Sequence, residues 1–190
     1  MTDGPGRMAP DDLAARLINY RDLTSRVDAI CRRIEERLRS EITCTSGCDG
    51  CCRHLSLFPV EAAALAVSFQ ELPLSDRRRI RERTLSTLPI DPCPLLEQHR
   101  CLLYTARPLI CRTHGLPLLL NRDGRRQVDY CLLNFKGVSS LPGSAVIDLD
   151  RLNETLVAVN LCFVASPESS SSWPERLTIA EALLLEIAHF

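Results

Sequence analysis

Lysine is almost missing from this chain. Lys136 is the only one among 23 basic residues, and 24 acidic residues bring the formal net charge to -1. A near-neutral chain is a poor polyanion binder unless a local patch does the work. The densest basic patch is Arg77-Arg78-Arg79-Ile80-Arg81-Glu82-Arg83, and no aromatic residue interleaves it. It reads as a solvated helix face, which argues against nucleic acid as a partner and leaves a protein partner open. Long apolar runs are also missing. Nothing approaches the ~18 apolar residues of a membrane span, so no membrane association is expected. The first residues, MTDGPGRMAPDDLAARLINY, carry Asp3, Asp11 and Asp12 and no apolar stretch of signal-peptide length. Export is therefore not expected, and the expected location is cytoplasmic. GxGxxG, Walker, HExxH and Ser-His-Asp patterns are all absent, so no reaction or substrate can be read from the residues.

What remains is an ordinary globular composition: 190 residues, 45% hydrophobic, 25% charged, mean hydropathy -0.02. A chain of this length buries roughly 70% of its unfolded surface and needs no staples to hold a core. The expected organisation is a flexible leader over 1–10 and a single domain over 11–190, with a cysteine-rich region at about 44–131 and C-terminal helices over 145–190. Leu13, Leu17, Tyr20, Val27, Ile30, Ile34 and Leu38 recur at helical spacing and predict a helix from Asp11 to about Ser40. Pro59 suits a first helical turn, which predicts a helix over about 60–71. Ser75-Asp76 caps RRRIRERTLSTL. Leu149, Leu152, Leu156, Val159 and Phe163 predict a helix within 145–165, which Asp148 can cap. Ser172…Glu175 and Thr178…Glu181 are two candidate capping boxes for the last helix. Residues 116–135 read as a hairpin around Asn121-Arg122-Asp123-Gly124. Residues 89–115 read as irregular, with one helical turn near Leu102. The fold class is mainly α: a single helical domain around a cysteine-rich metal-binding knot, with one short β-hairpin.

The cysteines are the outlier, at 10. In a reducing compartment, clustered cysteine reads as metal or redox chemistry before disulfides. Cys44, Cys48, Cys51 and Cys52 fall within nine residues of a polar loop, and Gly47 and Gly50 permit the tight backbone that turns several thiolates onto one point. Cys93, Cys101, Cys111 and Cys131 bring the set to eight, enough for two four-thiolate sites or for one cluster and one site. Adjacent side chains in extended chain point apart, so Cys51 and Cys52 serve two neighbouring metals, or two irons of one cluster, or only one of them is a ligand. Cys31 and Cys162, among apolar helical residues, read as buried core thiols.

Cys48-Asp-Gly-Cys51-Cys52-Arg53, Cys93-Pro-Leu-Leu and Cys101…Tyr104…Arg107-Pro108…Cys111-Arg112 together resemble the cysteine-cluster family called CxxCxxCC, or YkgJ-type, a zinc- or iron-chelating domain. The resemblance spans about 44–131. This chain departs from the pattern with three residues between Cys44 and Cys48. The resemblance implies metal chelation by these cysteines and no settled reaction. Cys44-x3-Cys48-x2-Cys51 also matches the spacing of radical S-adenosylmethionine enzymes, but the repeated βα units of that fold are missing.

The expected metal ligands are Cys44, Cys48, Cys51, Cys52, Cys93, Cys101, Cys111 and Cys131. A closed four-thiolate set leans to zinc, and thiolates serve iron or an iron–sulfur cluster as well. With iron, the alternative is electron transfer or a redox enzyme. Arg53, Arg107 and Arg112 would either offset thiolate charge or pair with Glu61, Glu97 or Asp91. Tyr104 would donate a hydrogen bond in the same region or simply pack. His54, His99 and His114 are secondary ligand candidates, and His189 fits a helix C-terminus.

Overall fold

The computed structural model describes residues 10–45, 47–88, 90–165 and 173–186. Seven helices dominate them: α1 Pro10–Arg16, α2 Ile18–Arg37, α3 Pro59–Gln70, α4 Leu74–Ser86, α5 Leu109–Thr113, α6 Leu149–Val164 and α7 Ile179–Leu184. Seven short strands form three small sheets. β1 Ser56–Leu57 pairs antiparallel with β7 Leu177–Thr178. β2 Leu96–Glu97 and β3 Arg100–Cys101 make a hairpin. β4 Leu118–Arg122 lies between antiparallel β5 Arg125–Asp129 and parallel β6 Ile147–Asp148.

The helix expected over 11–40 is nearly continuous. It is interrupted only at Leu17, whose N–H still bonds the Leu13 carbonyl at 3.0 Å. Its inner face is Leu17, Tyr20, Val27, Cys31 and Ile34. Asp148 caps α6 by accepting the Arg151 N–H at 3.0 Å. Thr178 and Glu181 close a capping box on α7. The Ser172 alternative, His189 and residues 1–9 of the leader expected over 1–10 lie outside the described residues, while Pro10 belongs to α1. α4 starts one residue before Ser75, behind Pro73, so Ser75-Asp76 sits inside the first turn and does not cap it.

α3 organises the interior. Its sequence PVEAAALAVSFQ has no polar face, and a helix apolar all round must be covered all round. Val60, Ala63 and Val67 join one core with α2, α5 and α6, while Ala62, Leu65 and Phe69 join a second core with Ile80, Leu95, Leu103 and Leu183. The polar exception is Glu61, which is 4% exposed. One of its oxygens accepts the Phe58 N–H at 3.2 Å and the other the Leu109 N–H at 3.1 Å, and the Tyr20 hydroxyl hydrogen-bonds it as well. A single carboxyl thus ties α2, the start of α3 and the start of α5 together. Asn160 does the same for α6 by accepting the Val60 N–H at 3.1 Å.

Two expectations need correction. Residues 89–115, read as irregular, hold a second hairpin (β2–β3), a 3-10 turn at Tyr104–Ala106 and α5. Cys162, read as a core thiol, is exposed, because α6 turns Leu156, Asn160 and Phe163 inward and Cys162 falls off that face. Cys31 is buried as expected.

Burial raises the Glu61 pKa above its ordinary 4.5 against the pull of its hydrogen bonds and of Arg176. Above pH 4.5 the unfolded chain releases this proton while the native chain retains it. Stability therefore falls from pH 4.5 up to the raised native value and is flat beyond it. Glu61→Gln should remove that slope, and by turning an amide NH2 toward one backbone N–H it should cost about 1–3 kcal/mol. Urea unfolding midpoints of both proteins, taken across this pH window, check the slope and the offset.

Candidate metal centre

All ten cysteines are free thiols. Eight of them fall into two neighbourhoods that meet at the vicinal pair Cys51-Cys52.

The inner neighbourhood is Cys52, Cys93, Cys101 and Cys111. The Cys93 N–H bonds the Cys52 carbonyl at 3.0 Å, which carries the chain from the glycine-containing loop to the start of the β2–β3 hairpin. Cys101 ends β3, and Cys111 lies on α5, the helix whose first buried N–H Glu61 holds. Burial and then repulsion by Cys51, Cys93 and Cys101 push the Cys52 thiol up to about 12. Burial, with repulsion by Cys93, Cys101 and Cys52, pushes Cys111 up to about 12 against the pull of Arg107. Cys93 rises to about 11, mainly through burial, and Cys101 also rises for that reason. Both are pulled back by a backbone N–H two residues on: Leu95 for Cys93 and Leu103 for Cys101. An N–H aimed at sulfur favours the thiolate, which is the form a metal requires. Cys93 and Cys101 also pack on the second apolar core.

The outer neighbourhood is Cys44, Cys48, Cys51 and Cys131. Cys44 rises to about 11 through burial, a hydrogen bond with Cys48, and repulsion by Cys48, Cys51 and Cys131. Cys44, Cys48 and Cys51 are exposed and Cys131 is half-buried. Asn134, 2% exposed, anchors this loop: its Oδ1 accepts the Thr43 N–H at 3.0 Å and the Cys44 N–H at 2.9 Å, and its Nδ2 donates to the Gly115 carbonyl at 2.9 Å. Gly115 (φ +89) has its open side 3.2 Å from that Nδ2, so a side chain there would be strained and crowded.

The vicinal pair spans the two neighbourhoods. Cys51 acts on Cys44 on one side, and on the other it hydrogen-bonds Cys52. Among the described residues no three Cys, His, Asp or Glu side chains yet surround one ion-sized point.

Charged neighbours differ from expectation. Arg112 is taken up by Asp28 at 2.5 Å and by the carbonyls of Arg107 and Thr105 at 2.6 Å each, away from Glu61, Glu97 and Asp91. Arg107 stacks over the Tyr104 ring at 3.5 Å and bonds the carbonyls of Tyr104 and Cys111, within electrostatic reach of Cys101 and Cys111. Tyr104 thus serves as its platform. Arg53 is exposed and pairs by backbone with Pro92. Arg83, from the arginine run, is the cation that acts on Cys93. It bonds the Leu96 carbonyl at 2.8 Å and Glu97 at 3.4 Å. No local pattern announces Arg83; only the hairpin brings it there.

His99 pairs with Asp49 at 2.8 Å, which ties the hairpin turn to the loop of the outer set. Both turn residues, Gln98 and His99, have positive φ (47° and 61°), a conformation that costs a non-glycine residue roughly 1–3 kcal/mol. His114 is exposed at the end of α5. His54 is half-buried, and its Nε2 is buried without a hydrogen-bond partner. A cavity of about 430 Å³, lined by Asp49, Arg83, Asp91, Cys93, Leu96 and His99 among others, opens on one side of the inner set.

A known family shares this cysteine pattern. Residues 43–131 match the CxxCxxCC family. The family is described as "Putative zinc- or iron-chelating domain", and the matched stretch is a little under half of the chain. All eight clustered cysteines fall inside it. No curated protein and no solved structure matches the chain. The CxxCxxCC segment thus contributes β1 to β5 and α3 to α5, while α1, α2, α6 and α7 pack around it from outside the match.

Asn134→Ala should unfasten the Thr43–Cys44 end of this segment and leave the Gly115 carbonyl unpaired. The expected loss is about 1–3 kcal/mol, seen as a lower urea midpoint at unchanged slope.

Proposed function

We propose that this protein chelates zinc or iron through eight cysteine thiolates arranged as two four-sulfur sites. Cys52, Cys93, Cys101 and Cys111 form one, and Cys44, Cys48, Cys51 and Cys131 the other. The observation that carries the reading is that the fold brings Cys93, Cys101 and Cys111 around Cys52 and brings Cys48, Cys51 and Cys131 around Cys44, with the vicinal pair Cys51-Cys52 joining the two gatherings. Grouped thiolates repel, and a bound divalent ion turns that repulsion into attraction. The N–H donors at Cys93 and Cys101 and the Arg107 and Arg83 cations suit an anionic site of that kind. An all-sulfur, closed donor set favours zinc in a structural role, with metal binding contributing directly to folding. A reducing, cytoplasmic setting would keep these thiols available.

The contact between Cys51 and Cys52 supports a second reading, in which the sets are contiguous and serve an iron–sulfur cluster with an electron-transfer or redox role.

Protein purified without oxygen and analysed for metals decides between them. The expected result is two zinc ions per chain, with Cys51→Ser and Cys93→Ser each lowering the content by one. Iron together with inorganic sulfide would select the second reading. Full metal content in both variants would overturn the ligand assignment.

A further inference from the structure

The two sulfur sets are not equivalent. Cys93 and Cys101 pack on the second core, Cys111 sits on a helix fastened by Glu61, and the Cys93 N–H is bonded to the Cys52 carbonyl. Each inner cysteine is partly buried, and of the four only Cys93 lines the cavity beside them. The outer set is built in the opposite way. Three of its four cysteines are exposed, and Cys44, Cys48 and Cys51 lie in a loop without regular structure. Its chain is held by the Asn134 clamp at one end, by the solvent-facing Asp49–His99 pair, and by local turns such as the Cys48 N–H on the Thr45 carbonyl. Beside Cys131, Leu132 and Leu133 are 86% and 49% exposed, an apolar pair with nothing packed over it among the described residues.

Resting on the two-site reading, we infer that the outer set, Cys44, Cys48, Cys51 and Cys131, is a metal-exchange site. It receives a thiophilic divalent cation from, and passes it to, a thiol-bearing acceptor, while the inner set retains its ion as part of the core. The chemistry is ligand substitution. An incoming acceptor thiolate forms one metal–sulfur bond as one cysteine sulfur is released, and repetition moves the ion without any change of oxidation state. Such a step needs a sulfur that an outside nucleophile can approach and a chain that can let one ligand go. The outer set has three such sulfurs, exposed on a loop of turns, whereas the inner set has backbone donors and core packing that resist it. Losing the fixing contacts around metal ligands typically changes affinity by about 10–100-fold, and a rate difference of that order is expected between the two sets.

The test uses the full chain loaded with Zn2+, a short Cys-x-x-Cys peptide as acceptor, and a chromogenic zinc chelator as reporter. Two phases of equal amplitude are expected, the fast one at least about tenfold faster than the slow. Iodoacetamide added as the fast phase ends, followed by peptide mass mapping, should label Cys44, Cys48, Cys51 and Cys131 and spare Cys52, Cys93, Cys101 and Cys111. The double variant Cys44→Ser/Cys131→Ser should lose the fast phase and keep one slowly released zinc. A single phase releasing both ions overturns the inference, as does a fast phase that labels the inner cysteines. A wild-type chain that binds only one zinc, or a double variant that loses all zinc while staying folded, overturns the two-site reading itself. The labelling map needs no variant, so a variant that fails to fold leaves the inference open to refutation.

Discussion

A helix with no polar face can exist in water only if the rest of the chain covers it, and α3 is that helix here. Its two apolar sides define the two cores, and its one buried carboxyl reaches across to the first N–H of α5. Because α5 carries Cys111 and β3 carries Cys101, the placement of two inner sulfurs depends on how α3 is buried. Burying a carboxyl is costly unless its oxygens are bonded. Glu61 meets that condition with two backbone donors and the Tyr20 hydroxyl, so its cost is converted into fixed geometry for the metal-facing side of the fold.

Around that frame the elements that carry the inner cysteines are short. The β2–β3 hairpin is four residues of strand and α5 is five residues long. Short elements of this kind gain little from their own hydrogen bonds. The segment is also held by partners outside it: Asp28 of α2 on Arg112, and β7 pairing with β1. This accounts for a matched family segment of under half the chain within a fold whose covering helices come from both sides of it.

What the sequence disclosed follows from where its signals are local. The amphipathic faces of α2 and α6, the Asp148 cap and the Thr178 capping box were all legible, because each is written within a few residues. The two hairpins make the contrast. Asp123-Gly124 takes positive φ at both positions with residues that tolerate it, and the turn was foreseen. Gln98-His99 adopts the same kind of turn with residues that do not signal it, so β2–β3 was read as irregular. The eight clustered cysteines were legible from composition and spacing. Their sorting into inner and outer sets was not, because it depends on which loop each hairpin and helix end delivers. Arg83 and Asn134 were missed for the same reason. Asn134 holds the Cys44 N–H from across the fold, and Arg83 reaches Cys93 only because α4 packs beside the β2–β3 hairpin.

The peptide bond between Cys51 and Cys52 joins the two sulfur sets across one residue step, about 3.8 Å of chain. A divalent ion held by four thiolates leaves a net charge of -2, so two filled sets this close repel one another. On the proposed two-site reading, filling either one would then lower the affinity of the other, and linkage requires the penalty to be equal in both directions. Adjacent cysteines would in that case write negative cooperativity into the backbone, the ion held in the core setting how loosely the surface one is held.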